Sequence, residues 1–102
     1  MYRGLKMSVN LVLTGFGSCI VRKGRYKGNG SVAILVYDNN NNLLAHLSKE
    51  LLDDETLSEG QFFFNELMYP DIKSELLSSI YFEDVLDNNL DFPGYPLFKV
   101  LF

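Results

Sequence analysis

The chain has 102 residues, 47% of them apolar and 14% aromatic (eight Phe, six Tyr, no Trp), with nine basic side chains, thirteen acidic ones and a formal net charge of −4. That length holds one domain with no room for a second core, and the aromatic content excludes a disordered acidic tail. Cys19 is the only cysteine, which excludes an intramolecular disulfide and a cysteine-based zinc site and favours a reducing, cytoplasmic setting.

Arg3 and Lys6 precede an apolar run, as in a secretory signal, but Asn10, Thr14, Gly15 and Gly17 interrupt that run and favour a buried strand. No stretch approaches the roughly 20 uninterrupted apolar residues of a membrane helix. Met7 offers an alternative start, with residues 1–6 as a dispensable extension. Residues 10–13 read as a short strand ending at Gly15-Phe16-Gly17, and residues 18–21 resume strand character. Residues 22–30 (RKGRYKGNG) read as a loop rich in glycine and positive charge. Residues 31–37 (SVAILVY) are the clearest strand, β-branched and apolar enough to lie centrally. Asp38 and the four asparagines after it supply a turn, and residues 43–48 return as the second strand of a hairpin.

Residues 49–60 are polar and acidic, anchored by Leu51, Leu52 and Leu57, and residues 61–64 (QFFF) form a third hairpin strand. Pro70 suits the first turn of a helix running to residue 80, with Ile72, Leu76, Leu77 and Ile80 on its apolar face. Residues 82–90 read as a helical turn or a loop, and residues 97–102 as a closing strand beyond Pro93-Gly94 and Pro96. The fold class is α+β: one antiparallel sheet of four to five strands with one main helix packed on a face. Its expected core is Leu11, Leu13, Ile20, Val32, Ile34, Val36, Leu44, Leu47, Phe63, Ile72, Leu76, Leu77 and Val100.

Tyr26, Asn29-Gly30, Ala33-Ile34 with Asp38, residues 44–47, and Phe64 ahead of Leu76-Leu77 carry a resemblance. In these landmarks the chain resembles a small family of uncharacterised bacterial proteins, often encoded on phages and other mobile elements. The resemblance spans about residues 20–102 and implies the same α+β fold and a mobile-element origin. It brings no catalytic residues with it. The Asn run and the PGYP segment depart from the family pattern.

Charge is segregated along the chain. Residues 1–37 hold six cations and no carboxylate, whereas residues 38–102 hold three cations and all thirteen carboxylates, a formal −10. Such a dipole speaks to partners rather than to fold. The expected binding face comprises Glu50, Asp53, Asp54, Glu55, Glu59, Asp71, Glu75, Glu83, Asp84 and Asp87. Gathered on one side, these groups imitate the spaced charge of a nucleic-acid backbone and attract a basic host protein, with Tyr69, Tyr81, Phe82 or Tyr95 as anchors. The sharpest form of this reading is a non-catalytic inhibitor of a CRISPR or restriction protein, for which no cofactor and no membrane are expected.

Two other classes compete. Arg22, Lys23, Arg25, Tyr26 and Lys27 offer cations and a stacking ring to nucleic acid, although the net negative charge disfavours direct binding and the phosphate-loop spacing is missing. A small enzyme would centre on Cys19 or His46, yet both fall inside expected strands. His46 with Glu50 supplies too few ligands for a metal, and residues 53–55 lack the alternation of a calcium loop.

Overall fold

A computed structural model describes residues 7–26, 32–50, 57, 59–85 and 94–102. β1 (Ser8–Leu13) and β2 (Gly17–Arg25) form a hairpin in which Phe16 N–H donates to Leu13 O at 2.9 Å. Gly15 has φ +88°, the left-handed conformation that this tight reversal requires. β3 (Val32–Tyr37) pairs with β2 and with β4 (Leu43–His46), giving an antiparallel sheet of order β1-β2-β3-β4. β5 (Ser48–Lys49), β6 (Gln61–Phe64), β8 (Leu97–Val100) and β7 (Phe82–Asp84) form a second antiparallel sheet in that order. The antiparallel α+β expectation holds, with the strands divided between two sheets of four.

Leu47 is the corner between them. Its N–H donates to Ile34 O at 2.8 Å in the first sheet, while its carbonyl accepts from Asn65 N–H at 2.8 Å beside the second. One extended segment thus serves both sheets. Ser48, buried at the same corner, accepts the Ile34 N–H at 2.9 Å and shares a 2.7 Å bond with the Tyr26 hydroxyl. Among the described residues, no buried side-chain nitrogen or oxygen lacks a hydrogen-bond partner.

The turn after β3 explains the asparagine run. Asp38 Oδ1 accepts from the N–H groups of Asn40 and Asn42 at 2.8 and 2.9 Å, and Asn41 takes φ +69°. Asparagine tolerates that region far better than a bulky residue does.

The inner faces of both sheets enclose the core. Phe64 stacks on Phe98 at 5.0 Å, and Phe62 meets Phe98 and Phe82 edge-on at 6.0 and 5.9 Å. Val9, Leu13, Cys19, Val21, Ile34, Val36 and Leu47 complete the core from the first sheet and the corner. Alongside these, a 3-10 turn (Pro70–Ile72) leads into α1 (Lys73–Ser78), which buries Ile72 and Leu76. A helix of one and a half turns is not stable by propensity, so this burial holds it in place.

The structure corrects several sequence-based expectations. β2 continues through residues 22–25, which the sequence gives to a loop. Cys19 and Val21 face inward rather than Ile20, because Leu11 pairs with Cys19 and Val9 with Val21. A frame of one residue exchanges every side chain between faces. Leu44 is 44% exposed, at the irregularity where β3 pairs with β4. Leu11 and Leu77 pack only partly against the core. The helix stops at Ser78, since Ser79 Oγ–H donates to Leu76 O at 2.7 Å and the backbone turns extended, leaving Ile80 79% exposed. Residues 82–84 are a strand, not a helical turn or a loop.

Candidate functional site

The cations of β2 do not form a patch. Strand alternation sends Arg22 to the outer surface of the first sheet, where its guanidinium lies 4.4 Å over the Tyr37 ring and donates to Asn41 Oδ1 at 2.6 Å. Lys23 points the other way, donating to the Phe102 backbone oxygen with its ammonium 5.9 Å from the Phe102 ring. Arg25 pairs with Glu59 at 2.7 Å. Tyr26 is half-buried against Ser48, and burial foremost, with the Glu50 charge assisting, pushes its hydroxyl above the usual tyrosine range. Lys27 lies outside the described residues.

The carboxylates fall into groups. Glu50 is exposed near Tyr26, and Glu59 is held below the usual glutamate range by its bond to Arg25. Asp53, Asp54, Glu55 and Asp87 lie outside the described residues. The remainder belong to one helix–strand unit, residues 70–84, in which α1 packs beside β7. Asp71 is exposed in the first turn of the 3-10 segment. Glu75 accepts from Thr14 N–H at 2.8 Å and from Thr14 Oγ1–H at 2.5 Å, tying α1 to the β1–β2 turn. Those bonds hold its carboxyl below the usual range. Glu83 and Asp84 are both exposed on the edge strand but alternate in direction, Glu83 beside its cross-strand partner Lys99 and Asp84 opposite Phe98. Glu66 pairs with Lys73 at 3.3 Å. Among the described residues, no ion pair reaches Glu50, Asp71, Glu83 or Asp84.

The expected aromatic anchors are mostly engaged inside the protein. Phe82 is buried, Tyr81 packs edge-on against Phe102 at 5.9 Å, and Tyr69 tilts against Phe16 at 5.8 Å. The exposed large apolar groups of the same stretch are Leu67, Met68 and Ile80. The sequence signal for them was weak: Leu-Met and Ile stand in otherwise acidic surroundings, but Ile80 also fits a helical core spacing. Leu67 is fixed by Gly94, whose φ is +85° and whose missing Cβ position is occupied by the Leu67 side chain. Gly94 O also accepts from the N–H groups of Glu66 and Leu67 at 3.1 and 3.3 Å.

Where the unit meets the β1–β2 turn there is a cavity of about 290 Å³. Thr14, Gly15 and Phe16 form one wall and residues 68–72 the other. Asp71 is the one carboxylate among the lining residues. Nothing in the sequence alone joined these stretches, which lie more than fifty positions apart.

Cys19 and His46 do not meet. Cys19 is 1% exposed on the core face, and burial raises its thiol above the usual range. His46 is exposed and pairs with Leu35, a register that places it on the outer face of the same sheet. Among the described residues, no group of three His, Cys, Asp or Glu is placed to hold a metal, and no helix is long and apolar enough to cross a membrane. Compared with known proteins, the chain matches no family model, no curated protein and no solved structure.

Proposed function

We propose that this protein is a non-catalytic binding module whose acidic helix–strand unit occupies a basic site on a partner protein. The observation that carries the reading is the composition of residues 66–85. Asp71 and Asp84 make no ion pair among the described residues, and Leu67, Met68 and Ile80 are exposed in the same stretch of chain. Interfaces combine such charges, which steer association, with apolar groups that anchor it. The cations of β2 are turned to internal contacts, so a partner meets the negative groups first.

Spaced carboxylates resemble the charge pattern read by Lys and Arg in nucleic-acid-binding proteins. The partner class is therefore a basic host protein that handles DNA or RNA. The sharpest version is inhibition of a CRISPR or restriction enzyme by a phage or mobile-element product, whose origin rests on the family resemblance. Biolayer interferometry of the full chain against purified effectors of both kinds tests the reading. Binding is expected to fall steeply between about 50 and 200 mM salt, to compete with DNA, and to be lost when Asp71→Asn, Glu83→Gln and Asp84→Asn are combined. Salt-insensitive binding, or binding that survives the triple change, contradicts it.

A further inference from the structure

The cavity between the β1–β2 turn and the 3-10 segment deserves a specific occupant, and this inference rests on the acidic binding reading above. We propose that it receives one arginine side chain of the basic partner protein. At about 290 Å³ it lies at the lower limit of small-ligand pockets, the scale of a single long side chain rather than a cofactor. Phe16 and Tyr69, 5.8 Å apart and tilted by 51°, supply aromatic surface to its lining. A guanidinium is weakly hydrated, stacks on such rings and presents a planar fork to a carboxylate.

Asp71 supplies that carboxylate. It lines the cavity, is exposed, and has no ion-pair partner among the described residues. Glu75 reinforces the field from behind Thr14. Its two oxygens already accept the Thr14 N–H and Oγ1–H, so its charge is fixed in place without being neutralised. Met68 supplies a flexible apolar side chain for the arginine's methylene stem. Aromatic surface, aliphatic surface and an unpaired carboxylate together match arginine better than a purely apolar residue or an anion. Lysine satisfies the charge but not the stacked, forked geometry.

The test uses the full chain, labelled with nitrogen-15, and three probes: blocked arginine (N-acetyl-arginine N-methylamide) and the equivalent lysine and citrulline compounds. Citrulline keeps arginine's shape but removes its charge. Arginine is expected to shift amide signals at residues 14–16 and 68–72 saturably, to bind more tightly than lysine, and to leave citrulline without a saturable effect. Asp71→Asn, at an exposed position, is expected to fold normally and to weaken arginine about ten-fold, the loss of one charge-assisted bond. Equal response to arginine and citrulline, shifts centred elsewhere, or an unchanged Asp71→Asn affinity would overturn the assignment. If arginine fails while the full chain still binds a basic effector with steep salt dependence, the pocket inference falls and the binding-module reading stands. If neither binds, both fall.

Discussion

β2 and the unit of residues 70–84 carry opposite charge and treat it in opposite ways. Along β2, each described cation has a partner inside the molecule: Arg22 with Tyr37 and Asn41, Lys23 with Phe102, Arg25 with Glu59. Along the helix–strand unit, Glu75 is engaged by Thr14, whereas Asp71 and Asp84 are not engaged by any described cation. Among the described residues, the cations of β2 therefore turn to contacts within the fold, whereas Asp71 and Asp84 make no ion pair.

The contrast can be broken most severely through the core. Leu76 is fully buried and is the contact that seats α1, so Leu76→Ala is expected to destabilise by about 2–5 kcal/mol and to release the acidic unit. A denaturant titration reads this, and a loss under about 1 kcal/mol would mean that α1 is not pinned as described. Ser48→Ala leaves the buried Ile34 N–H without its acceptor and frees the Tyr26 hydroxyl beside β2. It is expected to cost about 1–3 kcal/mol, measured in the same way.

Smaller changes sharpen the comparison. Arg25→Ala removes an exposed ion pair and is expected to alter stability by less than about 1 kcal/mol. It also releases Glu59, so affinity for a basic partner should rise, whereas a fall would return Arg25 to the binding surface. Glu75→Gln acts on the pH dependence. Its folded carboxyl is held below the unfolded value by Thr14, so the unfolded chain binds that proton first as pH falls. The contribution is complete above the unfolded value of about 4.3 and is lost as pH drops through the lower folded value. Melting temperatures collected from pH 6 down to about pH 3 should thus fall less steeply in Glu75→Gln than in the native protein. Identical slopes would show that the Thr14 contact does not persist in solution.

Much of this fold was legible from residue patterns. The β-branched run of β3, the Phe triplet of β6 and Pro70 at the helix start each obey a local rule. β2 was harder to follow beyond Val21, because its cations and Gly24 look like a loop when the neighbouring strands that hold them are unseen. β7 was missed because three residues are too few to show a period, and its pairing with β8 is set by tertiary contact. The corner at Leu47 is equally silent, since one residue divides its two hydrogen bonds between sheets. Of the candidate site, the acids could be named but their company could not. Thr14 and Phe16 reach Glu75 and Tyr69 only through the folded topology.

The most direct test maps the electrostatic potential at each backbone amide with paired nitroxide cosolutes, one cationic and one anionic, by paramagnetic relaxation in the full chain. The cationic probe should accumulate around residues 71–84, while residues 22–26 show no excess of the anionic one. Accumulation of the anionic probe along β2, with residues 71–84 indifferent to the sign of the probe, would contradict the account.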